Sequence, residues 1–594
     1  MPKAATAFSS TMNHHTPPAI TIALLASLAL PFASAVAAEV PRVTLGGEVG
    51  EAAATTTERF RQAPFDSLPW LRADLTNETV SEFDAKNGHA LCRPYKQYSG
   101  DISGRFIEIM AMDSQGDPAV HPAFKGLLDE VSKQQRPGGY FCASGTIDWQ
   151  QPLDTKEKDG PAANRMLPAL WGNSRMLCGL VEAMRVFPAD KAVAKAARNL
   201  GDFYLSVLPR FTDPERIEEY NRSGTYAAGY VTCWFPAMEG LVRLSNLTGE
   251  SKYLDAAKTI AAFYERFDKI PIDHAHGMLC CQVSLLALHE VTGDDAYLKR
   301  VEKRWDELVQ GGYINPAGGI LEKCRLFYVR RLCDEGCAIA DWLRLNLALG
   351  RVTGNTRYLA MAERTLQNHF LQNQTPKGGF GHRSAFADAQ GVYGLRQGQQ
   401  ESTWCCTFHG QLGFLELRKH LIWRSGNLLT IPLVLDFTAK EQVGTTTSVL
   451  RPPSNANQVA WQRISLAGQP ASLVRVRLPQ WADGVVASTG SGKNLELEIK
   501  DCWCTTAVPV TDVEFIYSGG VYAEDRRCNR LPDGPKDGQA FVIGYGPRLL
   551  AADGTSAKPP AWPTTLDALD AQGIRPLSSF HHNKDCCFVM GCGK

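Results

Sequence analysis

Two short motifs hold much of this chain's reactive chemistry: Asp334-Glu335-Gly336-Cys337 and Trp404-Cys405-Cys406-Thr407-Phe408-His409-Gly410. Glu335, Cys337, Cys405 and Cys406 offer one carboxylate and three thiols. That is a full donor set for tetrahedral zinc, which takes thiolate sulfur at about 2.3 Å and carboxylate oxygen at about 2.0–2.2 Å. Adjacent cysteines rarely bond to each other because disulfide geometry strains a vicinal pair, so a metal or separate partners suit Cys405 and Cys406 better. The competing reading is burial, since free cysteine packs as a small hydrophobe. The Glu-x-Cys partner and the polar surroundings of both motifs favour Zn2+. Cys324 and Cys333 flank the first motif as substitute ligands or a disulfide, and Cys280-Cys281 reads as core.

The elements that must position these groups are mostly helices. Asn246-Leu247-Thr248-Gly249-Glu250-Ser251-Lys252-Tyr253-Leu254 recurs as Glu290-Val291-Thr292-Gly293-Asp294-Asp295-Ala296-Tyr297-Leu298, and again as Arg351-Val352-Thr353-Gly354-Asn355-Thr356-Arg357-Tyr358-Leu359. Each copy predicts a helix ended by glycine, a polar turn and a new apolar face begun by Tyr-Leu. A weaker copy passes through Phe187-Pro188-Ala189-Asp190. Unequal spacing and long intervening loops favour a closed α/α toroid, a barrel of helical hairpins, over an open solenoid. After about Arg424 the pattern turns to short alternating strands such as Leu473–Leu478, Val513–Tyr517 and Phe541–Tyr545, which read as a β-sandwich. The expected fold is multidomain, α then β. Residues 1–38 form a leader, 39–425 the α/α-barrel catalytic domain, and 426–594 the β-sandwich with a C-terminal tail.

The leader reading rests on the apolar run Ala19–Leu30 followed by Ala33-Ser34-Ala35-Val36-Ala37-Ala38, the layout of a secretory signal peptide. Its apolar run is short for a membrane anchor, so the mature protein is expected to be secreted or periplasmic, with no membrane association after cleavage. The 594 residues carry 62 basic and 62 acidic side chains without long runs, which argues against nucleic acid as a partner. Seventeen cysteines, an odd count, exclude a fully paired disulfide scaffold.

A helical domain bearing Glu-x-Cys and a later Cys-Cys, followed by a β-sandwich, resembles glycoside hydrolase family 127, best known for non-reducing-end β-L-arabinofuranosidases. The resemblance runs from about Phe60 to Phe541–Tyr545, and is most specific at Glu335-Gly336-Cys337-Ala338-Ile339 and Trp404-Cys405-Cys406. It implies a zinc ion on Glu335, Cys337, Cys405 and Cys406, with Cys405 as nucleophile. It also implies that Gly318-Gly319-Ile320-Leu321-Glu322 ends in the acid/base Glu322, and that His274 or His276, in Asp273-His274-Ala275-His276, contacts the sugar. Where the family has a histidine before its first long hairpin, this chain reads Trp171-Gly172-Asn173-Ser174-Arg175-Met176. Where it has Glu-His-Gly-Gly-Met, this chain reads Cys233-Trp234-Phe235-Pro236-Ala237-Met238-Glu239. The metal and nucleophile are kept while the sugar pocket is rebuilt.

The resemblance implies an exported, zinc-thiolate retaining glycoside hydrolase that cleaves non-reducing-end sugars from a polysaccharide or oligosaccharide. Such chemistry needs one group to protonate the leaving oxygen and another to attack, and a coordinated thiol is already ionised. Trp404, with Trp171 and Trp234, is of a type that stacks on sugars or packs at helix–loop junctions. His409 would orient the cysteine pair from behind. Arg325 and Arg330 suit an acidic sugar or a rim salt bridge. Two alternatives stay open: another α/α-toroid glycan enzyme, a uronyl hydrolase or lyase with structural cysteines, and a non-catalytic glycan-binding zinc protein. A homodimer is compatible with the sequence.

Overall fold

The structure is a computed structural model. It describes residues 41–76, 98–143, 145–150, 166–213, 234–268, 274–324, 332–387, 393–396, 400–451, 458–525, 540–553, 566–572, 574–577, 586–588 and 590–592. The leader, Cys233, Asp273, Arg325 and Arg330 lie outside these residues.

Six helices close a ring in the order Asp101–Ser114, Met166–Val186, Ala237–Thr248, Ala275–Thr292, Gly336–Thr353 and Cys406–Lys419, the last packing back on the first. Each is backed by an outer helix: Pro122–Gln134, Lys191–Phe211, Ser251–Tyr264, Asp295–Gln310, Thr356–Thr365 and Gly47–Arg59. Inner helices such as Met166–Val186 and Gly336–Thr353 are buried almost all round, whereas Lys191–Phe211 and Asp295–Gln310 bury one stripe. That division is expected of a two-layer toroid. Among the described residues, no helix is long and apolar enough to cross a membrane.

The repeated motif is the joint between inner and outer helices. Gly249, Gly293 and Gly354 each end an inner helix in the left-handed region, with φ of 72°, 69° and 67°. The preceding threonines, Thr248, Thr292 and Thr353, each donate to the carbonyl four residues back. They also accept from the amides of Glu250, Asp294 and Asn355. Asp294 and Asn355 then cap the outer helices through the amides of Ala296 and Arg357.

The β-rich part holds a sheet in which strands 42–45, 437–441, 444–451, 458–467, 512–518, 484–489 and 494–495 follow one another, all antiparallel. A second sheet orders strands 497–500, 503–506, 473–477, 428–431 and 423–425. The two enclose an apolar core that includes Ile464, Val474, Val513, Phe515 and Tyr517, and the fold is an α/α toroid followed by a β-sandwich. Strand Arg42–Leu45, far upstream of residue 426, pairs with Phe437–Glu441 and completes the first sheet. Four residues carry too little periodicity to announce this. A third sheet joins the toroid's own short strands, Leu332–Cys333, Ser384–Ala387 and Tyr393–Leu395, to Cys586–Phe588 of the tail. The strand that leads into Asp334 and Glu335 is thereby anchored in a sheet.

Candidate active site

Glu335 and Cys405 stand at the N-terminal ends of helices Gly336–Thr353 and Cys406–Lys419. Both helix dipoles therefore present their positive ends to the same corner, which favours anionic sulfur and carboxylate there. Gly336 lets the two helices meet: a Cβ at this position would lie 2.8 Å from Asn373 Oδ1 and 3.0 Å from Cys406 Cβ.

The donor atoms of Glu335, Cys337, Cys405 and Cys406 all lie within 4.8 Å of one another, and all four residues are buried. Cys337 Sγ is 3.7 Å from Cys406 Sγ, and Cys405 Sγ is 3.5 Å from Cys406 Sγ. A tetrahedron built on metal–sulfur bonds of about 2.3 Å has sulfur–sulfur edges of about 3.8 Å. Glu335 Oε2 is buried with no hydrogen-bond partner. Its neighbour His274 Nε2 is 3.6 Å away, an ion-pair distance. Burial opposes ionisation of Glu335, yet His274 outweighs it and holds the carboxyl below its usual range. Burial pushes the Cys337 and Cys406 thiols well up, so ionised sulfur here calls for a cation. The sulfur spacing and the donor types fit zinc.

Glu322 sits on the neighbouring segment. Its amide donates to Cys333 O at 3.1 Å and its carbonyl accepts from Ala275 N at 2.8 Å. The side chain is 25% exposed, 4.0 Å from His382 Nε2 and 3.9 Å from Lys323 Nζ, so the carboxyl reaches solvent while its backbone is fixed. His382 Nδ1 in turn lies 3.0 Å from Ser402 Oγ, and the Ser402 carbonyl accepts from Cys405 N at 3.3 Å. Contacts thus run from Glu322 through His382 and Ser402 to the Cys405 loop.

Next to the thiols is a second, closed polar cluster. Asp341 Oδ2 is 2.5 Å from His276 Nδ1, and its Oδ1 accepts from Arg344 Nη1 at 2.9 Å. Arg105 donates from Nε to Asp101 Oδ1 at 2.7 Å, places Nη2 3.4 Å from His276 Nε2, and contacts His409 through Nη1. Trp171 Nε1 donates to the same Asp101 oxygen at 3.0 Å. Burial opposes ionisation of Asp341, but the two histidines and Arg344 hold it well below the carboxylate range, while burial lowers His276. His276 Nδ1 thus faces Asp341 and its Nε2 faces Arg105.

Of the expected sugar contacts, His274 caps helix Ala275–Thr292 through Gly277 N and faces Glu335. His276 has both ring nitrogens on protein partners. Trp404 is half-buried between the two main cores, and Trp234 is buried against Phe211. Cys280 and Cys281 are buried as expected. Cys333 donates to Asp334 O and is not one of the four clustered donors. His409 meets Arg105 one turn beyond the cysteine pair. Sequence reading missed Arg105, Asp341 and His382. For the first two a clue existed: Asp101 and Arg105, and Asp341 and Arg344, are charges at helical spacing on otherwise apolar helices, and buried charges are rarely without a partner.

The fold is a double-layered α/α toroid with a flanking β-sandwich, and it carries a solvent-reaching carboxyl near a buried carboxylate–thiol corner. A family profile described as the catalytic domain of GH127 β-L-arabinofuranosidase matches residues 61–413. The chain belongs to this family, glycoside hydrolase family 127, and is a β-L-arabinofuranosidase-like glycoside hydrolase. A solved GH127 β-arabinofuranosidase is similar over 93% of this chain and 94% of its own, at 16% identity and a TM-score of 0.61. The GH127 β-L-arabinofuranosidase from Geobacillus stearothermophilus T6 is similar over 87% of each chain, at 12% identity and a TM-score of 0.59. No curated protein sequence matches.

Proposed function

We propose that this chain is an exported, retaining β-L-arabinofuranosidase-like enzyme with Cys405 as nucleophile and Glu322 as acid/base. The observation that carries the reading is the buried four-donor corner, one carboxylate and three thiols within 4.8 Å of one another. Zinc held by Glu335, Cys337, Cys405 and Cys406 would supply sulfur that is ionised at neutral pH.

Cys405 Sγ attacks the anomeric carbon as its bond to the leaving oxygen breaks, and Glu322 gives its proton to that oxygen. Glu322 then takes a proton from water, whose oxygen displaces Cys405 from the same carbon. Two inversions leave the configuration retained. His382 Nε2 faces the Glu322 carboxyl at 4.0 Å. A uronyl hydrolase or lyase with structural cysteines accounts less well for one carboxylate and three thiols gathered within 4.8 Å. Residues 1–38 act as the export leader in this reading.

An epoxide analogue of β-L-arabinofuranose tests the assignment. Mass spectrometry should place one covalent label on Cys405; a label on Cys406 or on a carboxylate would overturn it. Glu322→Gln should lose about 10²–10⁴-fold on alkyl glycosides, the usual worth of positioned proton transfer. With a 4-nitrophenyl glycoside the first step should survive, and azide should restore turnover.

A further inference from the structure

We infer that His369, held between Asp334 and Asn315, is a positioning residue that fixes Glu322 relative to the thiol corner. The inference rests on Glu322 as the acid/base.

His369 lies in a π-helical turn, Leu366–Phe370, that continues helix Thr356–Thr365. Such a turn inserts an extra residue, re-aims side chains at some cost, and is frequent at functional sites. Here it delivers an imidazole into a fully buried slot, where His369, Asp334 and Asn315 are all 0% exposed.

The bonds run in one direction. Asn315 Oδ1 accepts from Gly319 N at 3.0 Å, which fixes the amide so that Nδ2 faces His369 Nδ1 at 3.2 Å. Nδ1 accepts, so the proton is on Nε2, which donates to Asp334 Oδ2 at 2.8 Å. The other Asp334 oxygen takes Arg383 N at 2.5 Å and Asn373 Nδ2 at 3.2 Å. Glycine is required at 319, because a Cβ there would lie 1.8 Å from His369 Nδ1.

These contacts join the two segments that carry the chemistry. Gly319 begins the run to Glu322, in which Ile320 bridges Ile314 and Leu321 bridges Asp334. Asp334 immediately precedes Glu335. One imidazole therefore ties the acid/base segment and the metal-ligand segment together from behind, without being placed on the substrate. Backbone bonds from Glu322 N to Cys333 O and between Leu321 and Asp334 join the same segments; without the imidazole behind them they carry the register alone, and a 1 Å misplacement costs about 10²-fold.

The test compares kcat on methyl and 4-nitrophenyl β-L-arabinofuranosides for the zinc-loaded wild type, Glu322→Gln, His369→Leu, His369→Gln and Asn315→Ala. His369→Leu should lose about 10²-fold on the methyl glycoside and under about 10-fold on the nitrophenyl glycoside, which needs little proton donation. Zinc content should stay at the wild-type value. His369→Gln, whose amide can both donate to Asp334 and accept from Asn315, should recover most of the loss. A merely structural histidine would lower both rates equally or leave them unchanged, and either result overturns the inference. If His369→Leu does not fold, Asn315→Ala decides by the same pattern. If Glu322→Gln shows no leaving-group dependence, or the wild type turns over neither probe, the acid/base reading fails and this inference with it. If Glu322→Gln shows the dependence and the His369 and Asn315 variants do not, only the inference falls.

Discussion

The thiol corner and the Asp341–His276–Arg105 cluster lie side by side inside the toroid, equally buried, yet they are built on opposite terms. In the cluster opposite charges and complementary donors and acceptors meet: Asp341 meets His276 and Arg344, and Arg105 meets Asp101, His276 and His409. In the corner three sulfurs and a carboxylate of like charge when ionised face one another, and Glu335 Oε2 has no hydrogen-bond partner. Like charges gathered in a buried site oppose one another's ionisation, so four such donors within 4.8 Å are the makeup of a cation site. The cluster has the pairings of a frame; the corner has the donors that could hold a metal ion.

The sharpest break of this contrast is Cys405→Ser. It should reduce kcat on the order of 10⁴-fold or more, as loss of a nucleophile does, while leaving the Asp341 cluster and the melting temperature of the metal-free protein nearly untouched. Circular dichroism melts beside steady-state rates check this; a large drop in stability would mean that Cys405 is frame after all. Asp341→Leu probes the other side. Removing one partner of a buried ion network costs about 3–5 kcal/mol, read by denaturant unfolding, and zinc content at low denaturant should hold. Loss of zinc together with stability would merge the two regions into one.

Cys337→Ser separates binding from frame within the corner. It should weaken zinc by about 10²-fold or more, beyond the range seen for groups behind the ligands, and addition of zinc should raise the wild-type melting temperature more than the variant's. Equal zinc content in both proteins would argue against the shared site. The smallest expected effect lies away from both regions, at Asp74. Its Oδ2 accepts from the amides of Gly100, Ile102 and Ser103, its Oδ1 is buried without a partner, and burial pushes its pKa up to about 7. The folded state then keeps a proton that the unfolded chain releases near pH 4. Stability is therefore highest below pH 4 on this account and falls as pH rises towards 7. Asp74→Asn should remove that slope, so that its melting temperature gains about 2–4 °C on wild type between pH 5 and pH 8. An unchanged difference across that range would refute the assignment.

Much of this molecule is readable along the chain because its joints are local. The Thr-Gly turns close through bonds spanning two to four residues, so Gly249, Gly293 and Gly354 announce the hairpins directly. The later strands alternate clearly for the same reason. Glu335, Cys337, Cys405 and Cys406 are legible by donor type, since few residue sets suit a thiolate metal, and the resemblance adds Cys405 and Glu322. Short strands escaped: Arg42–Leu45 acquires its meaning only from Phe437–Glu441.

What the sequence by itself determined is therefore the order of hairpins, the sandwich and the kinds of atoms in the metal corner. Tertiary structure alone decided which polar groups meet. Arg105 finds His409 across 304 positions, His276 finds Asp341 across 65, and His369 finds Asp334 across 35. These pairings arise because a closed ring of helices brings distant inner faces into one low-dielectric space. There a polar side chain must be matched by whatever lies opposite, and that partner is set by the geometry of the ring, which leaves no local trace in the chain.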